Sequence, residues 1–402
     1  MKAQIKEIAF VKQNMRFTAV FLVLLLPVLS SADSGYWQQV VNYKLHISLE
    51  KDLRTISGSI EIEYINNSPD TLDRLFMKAF PNAIQKGSYA DQKLRKMNDF
   101  SLAELKPEQE GSLELTDLEY SQKFYDKVVL DNTIITVSLA KPLKPRDTVN
   151  LSFNFTTILP SPHNLRMGLQ QNTTKAAYWY PQVCVYDRKM GWVNSQYINW
   201  GETYGDFGEF DVSITAPEDE IVAATGILEN EKEVLPDSLK KILHISNFTK
   251  PNDEWPKFQF DSTKTKTWHY VAENVNDFAF TCSNDYCIDS DTINGVEVVA
   301  YALRNKAQGW LTAVELGKQS IETFSETMYP YQWPVIRILD AFSGMEFPML
   351  ANCGGEGPSP RFSYLLYHEI GHQWFMGQVG SNQVDRPFLD EGFTTHIEHI
   401  AV

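Results

Sequence analysis

Apolar and polar positions alternate through the first part of the chain. Tyr43, Leu45, Ile47 and Leu49 interleave with Lys44, His46 and Ser48, and Ile60, Ile62 and Tyr64 with Ser59, Glu61 and Glu63. A period of two puts the apolar set on one face of a strand and leaves the other in water. Asn66-Asn-Ser-Pro-Asp70 is a turn cluster between strands. Residues 133–139, 148–155, 210–215 and 268–271 carry further strand-like runs, separated by Gly, Pro, Asp and Asn. The acidic segment 104–114 reads as a surface insertion. Near residue 287 the pattern changes. Trp310, Ala313, Val314, Leu316, Gly317, Ile321 and Phe324 lie near helical spacing within 306–328, and 335–339 is a strand. A second helix is predicted from 362 to about 376, after the Gly/Pro loop 352–360, and a third from about 388 to 402. The division is therefore a β-rich domain at 33–286 and an α+β domain at 287–402.

Ahead of both, Lys2, Lys6, Lys12 and Arg16 precede an apolar run over 17–29 and the small residues Ser30, Ser31 and Ala32. This reads as a secretory signal peptide spanning 1–32, with cleavage after Ala32. The apolar run falls short of the roughly 20 residues that cross a bilayer, so no stable membrane anchor is expected. The exported product is expected in a periplasm or outside the cell.

Composition narrows the classes. Of 402 residues, 43% are hydrophobic and 22% charged, an ordinary globular balance that excludes a disordered or collagen-like chain. The formal charge is −15, and loss of 1–32 with its four Lys/Arg and one Glu makes it −18. With no basic stretch to track phosphates, nucleic acid is not an expected partner. Four cysteines are too few for a disulfide framework; Cys282 and Cys287 are spaced for one local bridge, with Cys184 and Cys353 as buried thiols.

The chemistry concentrates in the second predicted helix. His368-Glu369-Ile-Gly-His372 puts two imidazoles one helical turn apart on one face, where both reach a single ion. Zinc takes neutral imidazole nitrogens about 2.0–2.1 Å away and, in catalytic sites, keeps one position open. Glu369 is rotated about 100° from His368, beside the pair, where it accepts a proton from attacking water without becoming a ligand. Eighteen residues separate His372 from Glu391, whose carboxylate at the start of a third helix completes a set of two His and one Glu. Such a set holds one zinc per chain and leaves the site positively charged, a Lewis acid for a carbonyl. Cys353 is an alternative fourth ligand that would silence it.

These residues resemble the zinc aminopeptidases of the membrane alanyl aminopeptidase and leukotriene hydrolase type, the gluzincins. That family carries His-Glu-x-x-His-Gln-Trp-Phe, the same eighteen-residue gap, then Asn-Glu-Gly-Phe; here His372 is followed by Gln373, Trp374 and Phe375, and Asp390 precedes Glu391, Gly392 and Phe393. The resemblance implies His368, His372 and Glu391 as zinc ligands, Glu369 as general base and Glu398 as an acid orienting a ligand imidazole. The family segment Gly-x-Met-Glu-Asn looks like Ser343-Gly344-Met345-Glu346-Phe347. By that likeness Glu346 binds the free α-amine of a peptide substrate, and the backbone of Ser343, Gly344 and Met345 pairs with it. Phe347 departs from the family Asn. Trp179-Tyr-Pro181, Gly191-Trp192, Gly201-Glu202, residues 205–212 and residues 275–279 resemble the N-terminal β-saddle of bacterial members. The implied fold is a β-rich saddle (a β-sandwich) followed by a partial thermolysin-like α+β domain. The family's oxyanion-binding Tyr and helical C-terminal domain have no counterpart before Val402, so the chain reads as C-terminally truncated. The implied activity is removal of N-terminal residues from peptides. A zinc endopeptidase, and a non-catalytic secreted β-sandwich with a vestigial zinc site, are the competing readings.

Overall fold

Both alternating runs form strands, each longer than its sequence signal. Val40–Leu49 and Thr55–Ile65 pair antiparallel with Tyr43 opposite Ile62, and Val41, Tyr43, Leu45, Ile47 and Leu49 point inward together. The computed structural model describes residues 35–116, 125–162, 166–198, 201–257, 260–261, 263–342 and 344–401. The proposed leader at 1–32 and Ser343 lie outside these residues. Everything below concerns the unit Gln38–Val402.

The two strands sit inside a seven-stranded sheet ordered Ile227–Leu228, Thr265–Val275, Gly208–Pro217, Val40–Leu49, Thr55–Ile65, Thr148–Ile158 and Ser112–Thr116. All neighbours are antiparallel except Val40–Leu49 with Gly208–Pro217. A four-stranded sheet carries Phe280–Ser283 and Thr173–Ala176 side by side. Trp179 bridges the two sheets, its ring 6.1 Å from Phe155 of the first and 5.4 Å from Phe280 of the second. Fully buried, it is the kind of aromatic anchor that dominates core energetics. The segment 104–114 is not a free insertion. Leu113 is buried, Ser112–Thr116 forms the outer strand of the large sheet, and Arg54 donates to the carbonyls of Glu108 and Glu110. Its acids mask a leucine at strand spacing.

The expected local disulfide is also absent: all four cysteines are free and buried. Cys282 lies on Phe280–Ser283, whereas Cys287 belongs to the next sheet and donates its thiol to the carbonyl of Ala302 at 3.3 Å. Each side chain is committed to a different layer.

That next sheet contains β1 (Tyr286–Ile293), β2 (Val296–Leu303), β3 (Val335–Leu339), β4 (Gly344–Phe347) and β5 (Leu350–Cys353), in spatial order β1-β2-β3-β5-β4. β4 is therefore an edge, paired antiparallel with β5 alone. The predicted helix over 306–328 is broken into Ala307–Trp310 and α1 (Ala313–Thr327). α1 buries Ala313, Val314, Gly317, Ser320, Ile321 and Phe324, one stripe at helical spacing. α2 (Pro360–Gly371) starts with Pro at its first turn and Ser359 as cap, the hydroxyl accepting from the N–H of Phe362 at 3.2 Å. It ends five residues short of the predicted 376. Beyond it the N–H groups of Gly377, Gln378 and Val379 reach back five residues to the carbonyls of His372, Gln373 and Trp374. Two polar side chains explain the change: Trp374 donates its indole N–H to the carbonyl of Tyr329 at 2.6 Å, and Gln373 is held by the β4–β5 hairpin. α3 (Glu391–Ala401) follows a short turn at Pro387–Leu389. It approaches α2 closely because residue 371 is Gly: a Cβ there would sit 3.0 Å from Thr394 Cγ2.

Candidate metal centre

His372 closes α2 with helical dihedrals (φ −60°, ψ −16°), and its N–H still bonds the carbonyl of His368 at 3.2 Å. The two imidazoles thus remain one turn apart. Their Nε2 atoms are 3.1 Å from each other, and Glu391 Oε2 is 3.1 Å from His368 Nε2 and 3.8 Å from His372 Nε2. Donors placed about 2.0–2.1 Å from a tetrahedral zinc lie about 3.3 Å apart, so the triangle fits that ion. The opposite ring nitrogens are occupied by acids. His368 Nδ1 lies 2.7 Å from Glu398 Oε2, and His372 Nδ1 lies 2.6 Å from Asp390 Oδ1. Such partners fix ring orientation and tautomer and leave Nε2 free for a metal. Glu346, His372 and Asp390 form a second close cluster, in which Asp390 Oδ1 is engaged with the ring of His372 and Oδ2 has no partner among the described residues.

The electrostatics point the same way. Burial opposes a proton on His372, yet Glu346 and Asp390 outweigh it and hold the imidazole well above its usual range. His368 is raised despite burial, through Glu391 and Glu398, and its hydrogen bond keeps Glu391 below the usual carboxylate range. Acids outnumber cations here, an imbalance that a divalent ion neutralises.

Glu369 is buried, and its Oε2 has no hydrogen-bond partner among the described residues. Burial drives the carboxyl above its usual range, against the pull of His372, His368 and Lys175. Its other oxygen lies over Gly344, where a Cβ would come within 2.3 Å of it. Glycine at the start of β4 therefore makes room for the acid. An orphaned buried carboxylate beside a donor triangle is suited to taking a proton.

Two residues beyond Gly344, Glu346 is 6% exposed, and burial raises its pKa strongly. It lines a small recess with Glu202, Tyr178 and Met345. Glu202 is ion-paired with Arg166, which also donates to the Tyr178 hydroxyl at 3.1 Å and contacts Met345 Sδ at 3.0 Å. Lys175 is fully buried, donates to the carbonyl of Phe342 at 3.3 Å, and is pulled down to about 7 by desolvation. Glu369 and Glu346 partly offset that loss. Cys353 is buried on β5 and belongs to neither donor cluster.

The structure thus brings His368, His372, Glu391, Glu398, Glu369, Gly344, Met345 and Glu346 together. The sequence assigned no role to Asp390 and Gln373, present only as motif neighbours, and did not single out Lys175 or Arg166. Lys175 carried a signal, a lone cation within the otherwise neutral Thr173-Thr-Lys-Ala-Ala-Tyr-Trp179. Asp390 was visible only as the acid beside Glu391.

No protein-family model matches the sequence, and no curated protein matches it. Solved structures do. The M1 zinc metallopeptidase of Deinococcus radiodurans superimposes with a TM-score of 0.53 at 13% identity, over 91% of this chain and 71% of that one. A point mutant of that enzyme bound to a Tyr-Ser-Ala substrate gives the same values. A two-domain M1 zinc metallopeptidase mutant bound to L-tryptophan gives 0.54 at 13% identity, with the same coverage. The chain has the β-rich, multi-sheet fold of the M1 zinc metallopeptidases.

Proposed function

We propose that the protein is an exported, zinc-dependent aminopeptidase, with a β-saddle domain at 33–286 and a thermolysin-like catalytic domain at 287–402. One observation carries this reading: the Nε2–Nε2–Oε2 triangle of His368, His372 and Glu391 stands beside the unpartnered carboxylate of Glu369, with buried Glu346 on the edge strand β4 whose Gly344 faces Glu369. Zinc held by the triangle would polarise the scissile carbonyl and activate water. Glu369 takes the proton from the attacking water and returns it to the leaving amine. Glu346 holds the substrate ammonium, which sets the first peptide bond at the triangle. The outer edge of β4, with Gly344 and Met345, offers backbone groups to an extended peptide. Asp390 and Glu398 keep the imidazoles turned. The apolar run at 17–29 supports export, and no described helix is long and apolar enough to cross a membrane.

The test compares the zinc-loaded protein with Glu369→Gln on an alanine anilide and on its N-acetyl form. Cleavage of the free-amine anilide alone, reduced at least about 10²-fold in the variant with zinc content unchanged, is expected. Equal cleavage of the acetylated substrate would make the protein an endopeptidase. Stoichiometric zinc without hydrolysis would make the site vestigial.

A further inference from the structure

A groove of about 720 Å³ opens beside His368 and Gly344, within the size range of small-ligand pockets; Gly344 faces Leu365 and Glu369, while Glu346 clusters with His372, nearer the helix's C-terminal end. One wall is the helix stripe Arg361, Tyr364, Leu365 and His368; the other is Gly344 and the glycine-rich loop Gly354–Gly357. Positions i, i+3, i+4 and i+7 share one helix face, so Arg361 stands directly along the groove from the candidate ligand His368, about 10 Å away. Arg361 is exposed and has no hydrogen bond or ion pair with any described residue. It is the groove's one described cation. Of the acids there, Glu398 is bonded to His368, and Glu356 lies 3.8 Å from Lys306.

The site therefore has a polarity. At the Glu346 end of β4 the carboxylates Glu346 and Glu202 face one guanidinium, Arg166, which is spent on Glu202; past Gly344, at the other end, the Arg361 guanidinium has no described acid bound to it. A short peptide lying along β4 with its ammonium at Glu346 directs its other end toward Arg361. Extended chain advances about 3.4 Å per residue, and the arginine side chain reaches back several ångströms. The span suits two or three residues after the first peptide bond.

We propose that Arg361 binds the C-terminal carboxylate of a tripeptide or tetrapeptide whose first peptide bond lies at His368, His372 and Glu391, so that short peptides with free carboxyl ends are the preferred substrates. This rests on the aminopeptidase reading. The guanidinium fork matches a carboxylate in two parallel hydrogen bonds, and discrimination at an exposed arginine is about fivefold.

The experiment compares trialanine with trialaninamide as substrates, and by titration calorimetry with Glu369→Gln, for the parent, Arg361→Gln and Arg361→Lys. Expected is an acid-over-amide preference of about fivefold, carried by KM and by affinity, reduced to near one by Arg361→Gln and only partly kept by Arg361→Lys, which retains the charge but loses the fork. A hexapeptide pair should show no preference. Equal handling of acid and amide by the parent, or a preference surviving Arg361→Gln, overturns the assignment. Alanine anilide has no carboxylate, so its hydrolysis by the parent tests the aminopeptidase reading separately. If that fails, the calorimetric ratio still decides the role of Arg361.

Discussion

Asp390 and Glu398 each hold the Nδ1 side of a candidate ligand, at 2.6 and 2.7 Å, but in different surroundings. The Asp390 and His372 side chains are almost wholly buried, whereas His368 is 21% exposed at its side chain. Without Asp390, water cannot easily take its place. Asp390→Ala should therefore weaken zinc affinity about 10- to 100-fold, and Glu398→Ala less, as read by competition with a chromophoric chelator. The double His368→Ala, His372→Ala protein should lose stoichiometric zinc; full loading by elemental analysis would refute the ligand set. Glycine matters at Gly344 for a related reason. Gly344→Ala puts a methyl 2.3 Å from Glu369 Oε1 and 2.8 Å from Leu365 Cδ1. The carboxylate must turn away, so kcat should fall by about tenfold or more while the thermal midpoint changes little.

At the scale of elements, the alternating runs and the His-Glu-x-x-His helix were legible because period and spacing are local properties. Ser112–Thr116 was missed because five residues that end an acidic run and carry Glu114 at their centre look like surface until Thr148–Ile158 supplies a partner. The end of α2 was misjudged because helical periodicity continues through Trp374, while the bonds that stop the helix come from Tyr329 and the β4–β5 hairpin. Long-range partners leave no mark in a window of sequence. The spacing of His368, His372 and Glu391 was enough to suggest that they come together, as they do, yet the acids behind the imidazoles and the lysine behind Glu369 depend on which elements pack together. Gln373 is the clearest case. Its carbonyl accepts from the N–H of Met349 at 2.7 Å and its amide donates to the carbonyl of Phe347 at 3.0 Å. Gln373→Leu keeps the size but strands two buried backbone groups, at about 1–3 kcal/mol each. It should lower stability and raise KM for free-amine peptides, measured by denaturant titration alongside kinetics.

At the scale of the molecule, buried acids outnumber buried cations among the described residues. Burial lifts Glu220 to about 7, and Asp277 and Asp340 to about 6. Between the unfolded values near 4 and these folded ones, the native state binds more protons than the unfolded chain. Stability from these groups is therefore fully present at low pH and declines as pH rises to about 7. Glu220, with Asp219 nearby and a hydrogen bond to Cys282, tests this far from the metal site. Glu220→Gln removes the ionisation, so it should stabilise by up to about 3 kcal/mol at pH 8 and by little at pH 5; a pH-independent difference would reject the account. The pair of bonds made by Gln373 has a further consequence, one of timing. Because one side chain joins the helix bearing the histidines to the hairpin bearing Glu346, neither can open without releasing the other. The amide of Met349 should then exchange its hydrogen at the same slow rate as the core amides of α2, and stripping the metal should shift both rates together.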